Sequence, residues 1–136
     1  DVPVDLLDQA GVVEAARAAI VASRPLSIFA VNPEKVMRAR RDARLGAALR
    51  RAALLIPDGI GVVLAARLQG QPVPGRVAGS ELMPALCRMA AAEHHPVFLY
   101  GGSPSTVEGA CAALRNTCPG LVSAGSAHGY LVPDAA

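Results

Sequence analysis

The chain has 136 residues, 52% of them hydrophobic and 18% charged, with a formal net charge of +2. That length allows one domain and one core. With no tryptophan, two tyrosines and two phenylalanines, the chain has little to stack on bases, and so small a charge argues against a nucleic-acid partner.

Cys87, Cys111 and Cys118 are scattered without a C-x-x-C spacing, which indicates neither a zinc site nor a disulfide framework. No run of about 18 apolar residues marks a membrane span. So apolar a composition implies either a sheet covered on both faces or a surface that something outside this sequence covers.

In chain order, Val2 to Leu7 alternates weakly, as a short edge strand does. Gly11 to Ala22 has the apolar spacing of a helix, and Arg24-Pro25 breaks it. Leu26 to Val31 is a compact apolar run typical of a buried parallel strand. Asn32-Pro33-Glu34 opens a helix, with Asn as N-cap and Pro at its first position. That helix is predicted to run to about Arg51, with Lys35, Arg38, Arg41, Arg44 and Arg51 on its outer face. A solvated face is the common explanation of such a run, and anionic lipid headgroups are another.

Ala53 to Pro57 is the next buried strand, ending at Asp58, and Ile60 to Leu68 is helical. Gly70 to Gly75 is a loop by composition. A helix is predicted from about Ser80 to Glu93, a buried strand over Pro96 to Tyr100, and a helix from Ser103 to about Asn116. Leu121 to Ala124 is a last strand and Gly125 to Tyr130 a loop. Strand and helix alternate through short connections, which predicts an α/β fold with a parallel sheet.

Three loops then follow strands at one sheet edge, where open α/β sheets bind ligands. They carry Asn32, then Asp58 with Gly59 and Gly61, then Gly101, Gly102 and Ser103. Each leads into a helix, whose first N–H groups favour an anion, and glycine lets backbone approach a bulky ligand. A phosphorylated or nucleotide ligand fits. Neither a G-x-G-x-x-G after the first strand nor a Walker lysine is present, which argues against dinucleotide and P-loop binding. Asp58 stands where a catalytic carboxylate would be placed, and equally where a helix N-cap would be. Arg76, in a glycine-flanked loop, suits bidentate capture of a phosphate, or is a solvated loop charge. His94 and His95 read as surface residues; His128, in the last loop, is either within reach of the ligand or structural filler.

Five segments in fixed order resemble the WecG/TagA/CpsF glycosyltransferase family: Phe29-Ala30-Val31-Asn32-Pro33-Glu34-Lys35, Asp58-Gly59-Ile60-Gly61-Val62-Val63, Arg76-Val77-Ala78-Gly79-Ser80-Glu81-Leu82, Val97-Phe98-Leu99-Tyr100-Gly101-Gly102 and Gly125-Ser126-Ala127-His128-Gly129-Tyr130. The resemblance implies a Rossmann-like parallel sheet with helices on both faces. It also implies transfer of an N-acetylmannosamine-type sugar from a UDP donor to an undecaprenyl-diphosphate-linked acceptor, in cell-envelope polysaccharide synthesis. Such enzymes work at the cytoplasmic face of the membrane, peripherally, with neither a metal requirement nor a cofactor. The family's proposed general base falls on Asp58, its motif arginine on Arg76 and its segment asparagine on Asn32. Gly59, Gly101, Gly102, His128 and Tyr130 complete the expected substrate-binding set. Ala30, where many members have threonine, leans the donor toward an N-acetylmannosaminuronic type.

Family members continue beyond the Gly129-Tyr130 loop, and this chain looks like the N-terminal portion of such an enzyme. The expectation is therefore a partial domain with a sheet edge and helix faces lacking their cover, prone to self-association, a homo-oligomer among the outcomes. The rival reading is a non-catalytic module that binds a nucleotide sugar without turnover.

Overall fold

The computed structural model describes residues 2–130, an α/β fold whose described residues form six helices and four short strands, paired in parallel as two two-stranded sheets. Two compact units divide the chain, Asp1–Leu82 and Met83–Ala136.

The first unit opens with α1 (Gln9–Val21), whose N-cap Asp8 accepts the Gly11 N–H at 2.8 Å. β1 (Ile28–Val31) pairs in parallel with β2 (Leu54–Pro57), Ile28 facing Leu54 and Val31 facing Pro57. Leu55, Ile56 and Pro57 are all buried. Successive strand residues point to opposite faces, so β2 is covered on both. Val31, Leu49 and Leu55 form one core cluster, and Val63, Ala66 and Val73 a second.

The expected strand over Val2 to Leu7 does not form a ladder. The Asp5 N–H donates to the Leu55 carbonyl at 2.8 Å, but the return bond from the Leu55 N–H goes to the Asp5 carboxylate at 2.6 Å. A side chain thus stands in for the backbone carbonyl that a strand would supply.

The helix predicted from Asn32 to Arg51 is two helices, α2 (Pro33–Ala39) and α3 (Ala43–Arg51). Asp42 is the reason. Its backbone is extended and its carboxylate accepts the Arg44 and Leu45 N–H groups, both at 3.0 Å, which starts a new helix. Asp42→Ala is expected to cost about 1 kcal/mol, read as a lower urea midpoint with an unchanged slope. α4 (Ile60–Leu68) follows β2, and Arg67 holds the next loop through the Val73 and Pro74 carbonyls. α4 also presents Ile60, Leu64 and Leu68, 63%, 51% and 89% exposed, on successive turns. This is an uncovered apolar helix face.

α5 (Gly79–Ala92) begins in the first unit and continues into the second. In the second unit β3 (Pro96–Tyr100) pairs in parallel with β4 (Val122–Ala127), and α6 (Pro104–Thr117) connects them. Cys87, Ala91, Leu114 and Cys118 are its buried cluster, with Val97, Leu99 and Leu121 packed on it. Burial pushes the Cys87 thiol pKa up, which keeps it a neutral core side chain.

β3 departs from the buried strand expected of it. Val97 and Leu99 face the cluster, while Phe98 and Tyr100 on the opposite face are 55% and 61% exposed. β4 runs on to Ala127, three residues into the predicted loop. Pairing with β3 overrides the poor strand propensity of Gly125-Ser126-Ala127, at the cost of an irregularity. Val97 faces Ser123 and Phe98 faces Gly125, so Ala124 is the extra residue of a bulge. Gly125 has φ +126°, and a Cβ there would stand 3.0 Å from the Phe98 ring.

Candidate functional site

In the first unit the parallel pairing of β1 and β2 puts their C-terminal ends side by side. The Asp58 N–H donates to the Val31 carbonyl at 2.9 Å, which sets the Asn32 and Asp58 turns next to each other. On the far side of β2, the Val77 N–H donates to the Pro57 carbonyl at 2.9 Å. This brings the Arg76–Gly79 segment to the same strand end.

Asp58 is half-buried. It does not cap the helix that follows it. That N-cap is Gly59, with φ +122°, ψ +140° and no side-chain cap bond. The chain leaves the strand direction one residue later than a cap at Asp58 requires. The Asp58 carboxylate turns instead to the first residue of α5, where Oδ2 accepts the Gly79 N–H at a long 3.4 Å. The carboxylate therefore keeps most of its acceptor capacity, and it sits near two helix N-termini, those of α4 and α5, whose partial positive charge suits an anionic ligand.

Asn32 caps α2, its Oδ1 accepting the Lys35 N–H at 2.8 Å, and the Lys35 ammonium reaches back to the Ala30 carbonyl at 2.5 Å. Pro33 packs on the Asp58 turn, and Gly61 makes room for it. A Cβ on Gly61 would lie 3.1 Å from the Pro33 ring, and one on Gly59 3.6 Å from it. At Gly61 the missing side chain is thus matched to the close approach of Pro33. Gly79 also lies close, its would-be Cβ 3.6 Å from that of Ala30 and 3.8 Å from Asp58 Oδ2.

Arg76 is exposed and its guanidinium pairs with Glu81 in the first turn of α5, Nη2 to Oε1 at 2.6 Å. The Glu81 bond takes one of five N–H donors, and the guanidinium retains the others. Glu81 and the Gly79 N–H were missed as site features in the sequence, although both lie in the quoted Arg76–Leu82 segment. An acid five residues after the arginine, in a helix's first turn, was the available signal.

The second unit brings together its own predicted residues. The Gly101 N–H donates to the Ala127 carbonyl at 3.0 Å and the Gly129 N–H to the Gly102 carbonyl at 2.9 Å, tying the loops after β3 and β4. Gly101 has φ +126° and open space where a Cβ would be, whereas a Cβ on Gly102 would meet Thr106 at 3.0 Å. Ser103 caps α6 by accepting the Thr106 N–H at 3.2 Å. His128 and Tyr130 are exposed, Tyr130 at 72%. Among the described residues no three of His, Cys, Asp and Glu gather in a way that would hold a metal ion, and no helix is long and apolar enough to cross a membrane.

Compared with known proteins, residues 1–136 match the model of the glycosyl transferase WecG/TagA/CpsF family. Over 104 residues, 76% of this chain, the sequence is 34% identical to an N-acetylglucosaminyldiphosphoundecaprenol N-acetyl-beta-D-mannosaminyltransferase of Bacillus spizizenii. Over the same length it is 31% identical to the protein of that name from Bacillus subtilis. The matches cover 40% and 41% of those relatives.

Proposed function

We propose a reaction from one premise: the chain belongs to the glycosyl transferase WecG/TagA/CpsF family. In this reading an N-acetylmannosamine-type sugar passes from a UDP donor to a lipid-linked, diphosphoundecaprenol acceptor, with inversion at the anomeric carbon, in cell-envelope polysaccharide synthesis. The names of the two relatives support the acceptor and the sugar class.

The observation that carries the reading is the Asp58 carboxylate. It lies at the end of a buried strand, half-buried and held by one long N–H bond. As general base it takes the proton of the acceptor hydroxyl while that oxygen attacks the anomeric carbon. The UDP leaving group departs from the opposite face, and its diphosphate charge needs fixed donors. Arg76 supplies guanidinium N–H groups beyond the one that Glu81 occupies. The uncapped first turn of α4 supplies backbone N–H groups. Asn32, one residue past β1, orients a sugar or the base through its amide. In the second unit we assign substrate contacts to Gly101, Gly102, His128 and Tyr130, with Gly101 the position where backbone is open to a ligand. The reaction takes place at the cytoplasmic surface of the membrane that holds the acceptor.

A thermal-shift comparison tests the donor class. At a hundredfold excess over its dissociation constant, UDP is expected to stabilise the chain by about 2.7 kcal/mol, a rise of several degrees in Tm, while NAD gives none. A shift with NAD and none with UDP overturns the reading in favour of a dinucleotide site. A shift with UDP but no transfer activity supports the non-catalytic sugar-nucleotide module instead.

A further inference from the structure

A second feature of the first unit matches the acceptor rather than the donor. α2, α3 and α4 border an open surface groove of about 630 Å³, within the volume range of small-molecule sites, and Arg40 and Arg50 stand exposed in it. Its apolar wall comes from Val36, Met37, Ala65 and Ala66, and Arg40 and Arg50 stand in the same lining. No Asp or Glu lines it, and among the described residues neither arginine has a carboxylate partner. Two unpaired guanidinium groups beside an apolar wall fit an amphiphile with an anionic head.

Two further observations orient it. Pro33 and Gly61 line one part of the groove, and these residues pack together beside the Asp58–Gly59 turn. Ala65 and Gly61, small residues of the groove wall, neighbour the exposed Leu64 and Ile60 along α4. Gly61 of the wall and Leu68 of the stripe stand seven residues apart, about two turns of α4, so the wall borders the stripe along the helix.

We propose that this groove binds the isoprenoid-diphosphate end of the lipid carrier, the diphosphate on Arg40 and Arg50 and the first isoprene units on the α2–α4 wall, with the chain leaving along the α4 stripe. The proposal rests on the lipid-linked acceptor of the preceding reading. It commits to an isoprenoid diphosphate, not to the headgroups of the bilayer.

Calorimetric titration of the chain with farnesyl diphosphate, inorganic diphosphate and farnesol tests it. Farnesyl diphosphate is expected to bind at least about tenfold more tightly than either fragment, because both contacts are made only by the amphiphile. Arg40→Gln with Arg50→Gln lowers that affinity by about tenfold or more, and Ala65→Trp, which fills the groove, lowers it similarly. The UDP-induced thermal shift is unchanged in both variants, which shows that each is folded. The charge variant decides the matter if the tryptophan variant fails to fold.

Equal affinity in wild type and variants overturns the proposal. So does binding abolished by Leu64→Gln but untouched by Ala65→Trp, which places the lipid on the stripe alone. Arginine-dependent capture of phosphatidylglycerol vesicles without binding of farnesyl diphosphate overturns it in favour of a membrane-surface contact. Loss of the UDP shift in wild type, with farnesyl diphosphate still bound, counts against the donor reading and leaves the groove assignment standing.

Discussion

Replacing Asp58 with Asn is expected to lower sugar transfer by about 10²- to 10⁴-fold, the range in which a general base contributes to catalysis. The substitution is close to isosteric. The carboxamide keeps an oxygen that accepts the Gly79 N–H, and at 3.4 Å that bond is too long to contribute much to stability. The backbone bond from Asp58 to the Val31 carbonyl is independent of the side chain. Stability is therefore expected to move by no more than about 0.5 kcal/mol, so a fall in transfer reports chemistry rather than folding. The check is an assay of transfer to a lipid-linked acceptor alongside a urea titration of each variant. Undiminished transfer by Asp58→Asn removes Asp58 from the role of base. A lowered urea midpoint accompanying the loss makes the residue structural.

Gly59→Ala is expected to destabilise the chain by about 1–3 kcal/mol, the cost of forcing a side chain into backbone space that glycine alone occupies readily. Gly59 has φ +122° and ψ +140°, far from the left-handed helical region that Asn or Asp tolerates. Its would-be Cβ also faces the Pro33 ring at 3.6 Å, ordinary contact that adds no clash. The effect is therefore almost wholly backbone strain at the turn that launches α4. For a unit of this size it lowers Tm by roughly 4–8 °C per kcal/mol. Gly75→Ala is the control, since nothing lies within 4 Å of its would-be Cβ and its φ is not positive. An unchanged Tm for Gly59→Ala means that the turn relaxes without it, and the arrangement of Asp58 against Gly79 is then not held by Gly59.

What was legible in the sequence was local chemistry. Asn32-Pro33 announced the start of α2, because an Asn oxygen satisfies an early N–H and proline's missing N–H is no loss there. Ser103-Pro104 announced α6 on the same grounds. The apolar run before Asp58 announced β2, and parallel pairing put the Asn32 and Asp58 turns at one strand end. Asp42 shows how such reasoning fails. The Lys35 to Arg51 stretch is polar enough to look like one continuous helix, and a cap inside a charged run has no contrast to mark it.

The misreadings in the second unit have a different cause. Phe98 and Tyr100 suggested a strand buried on both faces, but burial depends on what other segments cover, which no local window contains. Gly125-Ser126-Ala127 has weak strand propensity, and its pairing with β3 is set by residues more than twenty positions away.

The candidate site divides along the same line. Residue types and spacing sufficed for the α/β class with parallel pairing, which depends on short-range patterns, while the family, and with it the candidacy of Asp58, Arg76 and Asn32, came from the resemblance of five segments taken together. Three matters needed the folded chain: that Asp58 meets the Gly79 N–H rather than capping α4, that Pro33 packs closely against Gly61, and that Arg76 is engaged by Glu81. The first two are contacts across long stretches of chain, and the third turns on which side-chain conformation is taken up. Each has several alternatives of similar local energy, and only the pairing of β2 with its neighbours and the packing around it select among them.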